Sequence, residues 1–538
     1  MCKNKVFLIS PRAKVAQIKT YPPVALCLIA TLLEQELFQV KIFDGYNDAN
    51  YLEHCLENLD SDVLYVGISV MCAELAETKR VSEKIKKHSK DMLIVWGGNH
   101  PTLYPESCLK EVYVDYVVHD EGAFTAVELA NHLKTGKDVS TIKGLYYKDS
   151  QDSKEIRFTG KKSPEDEHPD KYPVISYDYI DNKEYFENNH FSKALEQHDS
   201  KKHRSACIFT GMGCSYSCLF CINSCLNRSY REISAEKVYS AMKFYNKKYN
   251  IDSFIFIDDN FSFNKEKLIK LCDLLEKNNE NFYWLRLCTR GNYFTKDFIN
   301  QELITRMVKN GARFLQVGVE SGSKRIREDF YQKGITTEQI IYSAKITKNL
   351  PILVKYTTII GAPDETIDDV FQTFHLLMKL KLINKNARYS IFHLMPQPGN
   401  KLFPTLMPHM NVTESISVDD FVKIFPGEES YYSEGKIKNK IDLQQFEIVK
   451  FYFNFFMSLA LAGPDIVKNK LKIFPLIRDN RYITGGFLAF LRLLCFWILL
   501  RFKLRSTRFP LLFYFVAYVL RHPFKNLELC NDDGLAIQ

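Results

Sequence analysis

Four cysteines fall within twelve residues of this chain, at Cys214, Cys218, Cys221 and Cys225. Thiolates spaced that tightly in an intracellular chain point to a metal site before a disulfide. The first three form a Cys-x-x-x-Cys-x-x-Cys loop, reached from the apolar run Ala206-Cys207-Ile208-Phe209-Thr210 through Gly211-Met212-Gly213. Such a loop can bring three thiolates to three irons of a cubane cluster, leaving the fourth iron open to a small molecule. Zinc is the competing chemistry. It takes four ligands in a closed site or three plus water in a catalytic one, and Cys225 could be the fourth. Structural zinc loops usually use paired Cys-x-x-Cys units, which is not the spacing here.

The elements that must position this loop follow it in alternation. Periodicity predicts helices over 234–247, 264–278, 296–309, 336–348 and 366–380. Apolar strands lie between them and end at Asp258-Asp259-Asn260, Arg290, Glu320, Ile360 and His393. With the cysteine-bearing strand first, this makes six β/α units, a partial barrel over 205–410. Polar groups at the carboxyl ends of such strands are the candidates for chemistry. Asp258, Asp259 and Asn260 could bind a ligand or cap the next helix. Arg290 could grip a carboxylate bidentately. Glu320, in Gly318-Val319-Glu320-Ser321-Gly322, could bind a ligand or pair with Arg325 or Arg327. Gly361, in Ile360-Gly361-Ala362-Pro363, permits close backbone approach. His393 could face substrate or sit satisfied in the core.

The first 145 residues read differently. Five short apolar strands, near 5–10, 40–44, 63–69, 92–98 and 116–118, alternate with helical patterns such as 24–38. That order predicts an open parallel sheet. Its ligands would lie beyond the strand ends, at Pro11–Arg12, Asp44–Tyr46, Ser69–Cys72, Gly97–His100 and Asp120–Gly122. Gly97-Gly98 would let a large flat ligand approach the backbone, or make a plain turn. No Gly-x-Gly-x-x-Gly follows the first strand, so a nicotinamide site is not expected.

The cysteine loop, with aromatic Phe220 before its last cysteine, resembles the radical S-adenosylmethionine superfamily, and the resemblance extends over about 200–410. It implies a four-iron–four-sulfur cluster on Cys214, Cys218 and Cys221 whose open iron chelates S-adenosylmethionine, with Cys225 outside the triad. Phe220 would pack near the adenine. Asp258 and Asp259 resemble an Asp-Asp-x-Phe variant that holds the methionine amino group or orders its surroundings. Glu320 would bond the ribose or amino group, and Gly361 and Pro363 would form the loop beneath the adenine. After Pro396-Gln397-Pro398-Gly399 the family usually has threonine; here Asn400 stands instead.

The N-terminal third resembles the cobalamin-binding domain that precedes many such enzymes. The residues that carry this likeness are Tyr21-Pro22-Pro23, Val66–Ser69, Gly97-Gly98-Asn99-His100-Pro101 and Glu121-Gly122. The resemblance implies that Ser69, Gly97 and Gly98 line cobalamin, with His100, Glu121 and Gly122 in neighbouring turns. No Asp-x-His-x-x-Gly motif is present to supply a histidine to cobalt. The implied reaction is cobalamin-dependent radical methylation of an unactivated carbon or phosphorus. A radical cyclisation, oxidation or rearrangement, as in anaerobic magnesium-protoporphyrin ester cyclase, is the alternative, and a non-enzymatic cofactor-binding protein a third reading. The expected partners are a small-molecule substrate and an electron donor such as flavodoxin or ferredoxin.

Bulk composition agrees with a multidomain enzyme. The chain has 538 residues, 46% hydrophobic and 25% charged, too many for one core. A formal charge of +8 is a mild excess, and no nucleic-acid partner is expected. Fourteen cysteines are few for a disulfide scaffold of this size, and a cytoplasmic, reducing setting is expected. Residues 146–204 read as a polar linker, with short strand patterns at 142–147 and 154–158 that would form a hairpin at its start, and 411–538 as a helical C-terminal region. Within the latter, 487–523 carries two apolar runs around a basic segment. Both are short for membrane spans. They fit peripheral membrane contact or a hairpin packed on the barrel.

Overall fold

Apolar strands alternating with amphipathic helices can bury both faces of a sheet only if the sheet is parallel and covered on each side. The computed structural model follows that rule. It describes residues 3–424 apart from 13–20, 150–152, 154, 190, 194, 196–200, 227, 262–263, 396 and 411–416. Strands β1 (Lys5–Ser10), β2 (Gln39–Asp44), β3 (Val63–Ser69), β4 (Leu93–Gly97) and β5 (Tyr116–Val118) are parallel, in the order β2-β1-β3-β4-β5. The chain leaves β1 toward β2 and then returns to the other side of β1 at β3. Ligands of open sheets bind at such a reversal. Phe7, Ile9, Val66, Ile68, Ile94 and Trp96 form the core against one face.

The hairpin expected over 142–147 and 154–158 joins this sheet. Strands β6 (Leu145–Tyr147) and β7 (Arg157–Phe158) extend it antiparallel beyond β5. Tyr146 stacks on Phe158 at 4.1 Å, which holds this hairpin together. The expected linker is partly built structure for a similar reason, since its aromatics are buried. Tyr177 donates to the Cys207 carbonyl at 3.0 Å, and Tyr185 to Asp44 Oδ2 at 2.5 Å.

The chain packs as two units. The first takes Met1–Thr289, Thr305–Leu315 and the described residues from Met395 onward. Besides the N-terminal sheet it holds β8 (Ser205–Ile208), the antiparallel pair β9 (Gly211–Met212) and β10 (Arg231–Glu232), β11 (Ser253–Phe256) and β12 (Tyr283–Leu285). Strands β12, β11 and β8 lie parallel in that order. The third barrel strand breaks after β12 because Arg286 has φ +57°; its guanidinium donates to the Phe256 carbonyl and lies over the Tyr21 ring. Strand β13 (Leu287–Arg290) resumes beyond it. From Met395 the chain returns to the N-terminal sheet. Helices Phe403–Met410 and Val418–Ile424 place Phe403, Met407, Val418 and Phe421 in its core.

The second unit holds Arg290–Ile304 and Gln316–Leu394 among the described residues. Strands β14 (Phe314–Glu320), β15 (Leu353–Ile360) and β16 (Ala387–His393) stand in that order, with β15 and β16 parallel. Helices Thr337–Thr347 and Ile367–Ile383 begin with reciprocal capping boxes, Thr336 with Gln339 and Thr366 with Asp369. All six expected barrel strands are therefore present. The expected helical region 411–538 lies outside the described residues except for 417–424, and the apolar runs of 487–523 lie wholly outside them. Among the described residues no helix is long and apolar enough to cross a membrane.

Candidate active site

The reversal between β1 and β3 opens a cleft on the helix-covered face of the first sheet. Ser69, Gly97, Gly98, Glu121 and Gly122, which the sequence put at the ends of three separate strands, all line it. Leu8, Leu26, Ile29 and Tyr65 supply apolar walls. Its shape depends on missing side chains. A Cβ on Gly67 would stand 2.9 Å from Leu8 Cδ2, and one on Gly98, at φ +113°, would stand 2.8 Å from the Val70 carbonyl oxygen. An apolar slot with bare backbone along one edge suits the flat tail of a large cofactor.

His100 does not join the cleft. It is fully buried, with Nδ1 3.3 Å from Cys72 Sγ and its ring against Tyr104 and Phe421. Burial pushes its pKa down to about 4, so the ring is neutral at pH 7. The helix Asn99–Leu103 turns it away from the strand ends, an orientation that the Gly-Gly-Asn-His-Pro string does not encode.

The cysteine loop leaves β8 over a fixed base. Asp258 is buried, and its carboxylate accepts from the Thr210 hydroxyl and the Thr210 and Gly211 N–H groups. It therefore holds the root of the loop. It caps no helix; Asn264 caps Lys265–Lys277. Asp259 is exposed. Burial raises the Asp258 pKa while the Lys267 ammonium pulls it back; burial also lowers that of Lys267. Lys267 donates to the Thr210 carbonyl and to the Tyr230 hydroxyl.

Along the loop, Cys218 is buried and Cys214 and Cys221 are half-buried. Cys214 N–H donates to the Arg228 carbonyl at 3.1 Å. Gly213 sits at φ +79°, where a Cβ would meet the Ser229 carbonyl oxygen at 2.5 Å, so no other residue fits there. The far side is clamped by the returning chain: Asn400 Nδ2 donates to the Phe220 carbonyl at 2.9 Å, and Leu402 N–H to that of Leu219. Asn400, which stands where the family has threonine, thus acts on the loop through an amide. Cys225 lies on the short helix Asn223–Leu226. Among the described residues no three His, Cys, Asp or Glu side chains converge as one metal ion would require. A cubane makes another demand, since each cysteine takes its own iron.

The remaining residues belong to the second unit. Glu320, at φ +62°, pairs with Lys333 at 2.6 Å, both buried, and not with Arg325 or Arg327. Arg325 instead meets Asp369, and Arg327 the Ser321 and Ile335 carbonyls. Arg290 donates to the Lys333 carbonyl and to Asn292, so its guanidinium is engaged in holding this turn and not held open for a carboxylate. Gly361, at φ +97°, donates its N–H to Glu365 Oε2 at 2.5 Å, and Pro363 is buried. His393 ends β16 half-buried. Sequence reasoning missed Arg228, Lys267, Lys333 and Glu365, because each acts on a partner distant in sequence or on backbone. The Glu four residues after Gly361, able to fold back on its N–H, was the one local signal.

Residues 15–130 match the B12 binding domain, and residues 208–377 match the radical SAM superfamily. The chain pairs a B12-binding domain with a radical SAM domain. The cofactors of this pairing are cobalamin, S-adenosylmethionine and a four-iron–four-sulfur cluster. An uncharacterized methyltransferase of Pyrococcus horikoshii is 27% identical over 439 residues, 78% of this chain and 88% of the relative. The anaerobic magnesium-protoporphyrin IX monomethyl ester cyclase of Rubrivivax gelatinosus is 22% identical over 469 residues, 83% and 76% of the two chains. Among solved structures, the cobalamin-dependent S-adenosylmethionine radical enzyme OxsB superposes with a TM-score of 0.62 at 16% identity, covering 96% of this chain and 79% of that one. That last likeness is one of fold. The radical SAM domain of this chain is an enzyme domain, and its relatives include methyltransferases.

Proposed function

We propose that this enzyme transfers a methyl group to an unactivated carbon or phosphorus of a small molecule, with its cluster on Cys214, Cys218 and Cys221 and cobalamin in the cleft at Ser69, Gly97, Gly98, Glu121 and Gly122. The observation that carries the cofactor placement is convergence. Five residues from three strand ends line one slot, and the three cysteines leave a strand over a base that a buried Asp258 fixes. When bound, the cluster supplies the electron that splits S-adenosylmethionine, and cobalamin carries the methyl group. The protein's own work is to orient and to exclude water. Asp258 and Lys267 hold the root of the cysteine loop, Asn400 holds Phe220, and Glu365 fixes the backbone at Gly361. Glu320, neutralised by Lys333, shapes the end of β14. Electrons would come from a flavodoxin or ferredoxin.

Methyl transfer is favoured by the 27% identity to a methyltransferase along 88% of its length. The second reading is a radical cyclisation or oxidation with the same cofactors, supported by the similarity to the cyclase. The deciding experiment is anaerobic reconstitution with cluster and hydroxocobalamin, followed by mass analysis of products in the presence of candidate substrates. Methylation predicts 5′-deoxyadenosine together with S-adenosylhomocysteine; deoxyadenosine alone would reject it in favour of the second reading. Cys218→Ala should abolish both products and the cluster's visible absorbance, and retained cleavage would overturn the ligand assignment.

A further inference from the structure

We infer that Arg228 is a positioning residue that ties the cobalamin cleft to the cysteine loop, so that filling either site is felt at the other. The inference rests on the cofactor placement proposed above. Arg228 has two attachments. Its side chain donates from Nε to Asp120 Oδ1 at 2.5 Å, and Asp120 lines the cleft. Its carbonyl accepts the N–H of Cys214, the first cysteine of the loop, at 3.1 Å. One residue thus joins the wall of one cofactor site to the first ligand of the other.

Neither end of this strut has room to slip. Asp120 is held at φ +66° with its N–H on Thr102 Oγ1 at 2.9 Å, and Gly122 follows at φ +57°, where a Cβ would stand 2.2 Å from Val118 Cγ1. At the other end, a Cβ on Gly213 would stand 2.8 Å from the Arg228 carbonyl oxygen, so the loop lies directly against Arg228. A second ion pair runs alongside, from Arg231 on β10 to Glu121 in the cleft wall. Its side chains are 11% and 5% exposed, against 16% and 32% for Arg228 and Asp120. The deeper pair holds β10 to the turn. The shallower one carries the direct link to Cys214. Cobalamin pressing on the Asp120–Gly122 turn would move Arg228, and with it the amide that fixes Cys214.

Coupling of this kind is reciprocal: each ligand changes the affinity of the other by the same factor. A single half-exposed ion pair places that factor near the low end of the usual range, about 5-fold. The test uses the full chain with its cluster reconstituted and kept oxidised, so that no turnover occurs. Dissociation constants for S-adenosylmethionine are measured by equilibrium dialysis with and without hydroxocobalamin, and the reverse. The wild type should show the same factor in both directions. Arg228→Met should bind each ligand alone and show a factor near 1. Arg228→Lys and Asp120→Asn, which keep a charge or an acceptor, should retain part of it. Mössbauer spectroscopy of the oxidised cluster, enriched in iron-57, should change on adding hydroxocobalamin in the wild type and not in Arg228→Met, a difference that loss of stability alone would not produce. An undiminished factor in Arg228→Met overturns the inference, as does a wild type that binds both ligands independently. A wild type that binds no hydroxocobalamin overturns the cofactor placement itself, and the inference with it.

Discussion

Replacing Glu365 by glutamine should remove a pH dependence of stability that the wild type carries. Glu365 is fully buried, and its Oε2 accepts the N–H groups of Gly361 and Ala362 at 2.5 and 3.3 Å. Burial pushes its pKa from 4.5 up to about 7, against the smaller downward pull of those two amides. Below pH 4.5 the acid is protonated in both folded and unfolded chains. Between pH 4.5 and about 7 the folded chain keeps a proton that the unfolded chain has released, so stability falls as pH rises. Above pH 7 the whole contribution is gone. At about 1.36 kcal/mol per pH unit, that interval amounts to about 3 kcal/mol. Glutamine keeps an oxygen for the two amides and carries no charge at any pH. In urea denaturation followed by circular dichroism, Glu365→Gln should match the wild type at pH 4.5 and exceed it by about 3 kcal/mol at pH 8. Glu74 and Glu167, also raised to about 7 by burial, titrate in both proteins and leave the difference between them untouched. Parallel pH profiles for the two proteins would show that Glu365 is not the titrating group, and so would a glutamine variant that is weaker at pH 8.

Asp258→Ala should cost about 1–3 kcal/mol in the same assay, because it leaves the buried Thr210 and Gly211 amides and the Thr210 hydroxyl without their acceptor; Asp258→Asn, which keeps an acceptor, should cost less. Lys333→Met should lose about 3–5 kcal/mol by leaving the buried Glu320 carboxylate without a cation, and the double variant with Glu320→Gln should recover most of it in a double-mutant cycle. Gly98→Ala should destabilise by about 1–3 kcal/mol, since alanine resists φ +113° and its Cβ meets the Val70 carbonyl. The same variant should weaken hydroxocobalamin binding in dialysis.

Two kinds of information in the sequence were enough for the architecture. The alternation of apolar strands with helical patterns yields a parallel sheet, because only covered parallel strands bury both faces, and β1 to β5 and all six barrel strands stand where the patterns put them. The Cys-x-x-x-Cys-x-x-Cys spacing is local, so it survives folding unchanged as a loop after β8. The glycines at 97, 98 and 122 likewise declared themselves, since a missing side chain beside a strand end is visible in one dimension.

Tertiary structure decided what each charged side chain does. Asp258, Arg290 and Glu320 were correctly placed at strand ends, yet each is engaged by a neighbour: the Thr210 backbone, the Lys333 carbonyl and the Lys333 ammonium. A buried charge must find a counter-charge or hydrogen bonds wherever the fold offers them, and those partners lie 48, 43 and 13 residues away. His100 is turned inward as well, its neutral ring packing edge-on against Phe421, 321 positions along the chain. Spacing along the chain fixes which groups can be neighbours within a turn or a strand; which of them stay available to a ligand depends on what the rest of the chain brings against them.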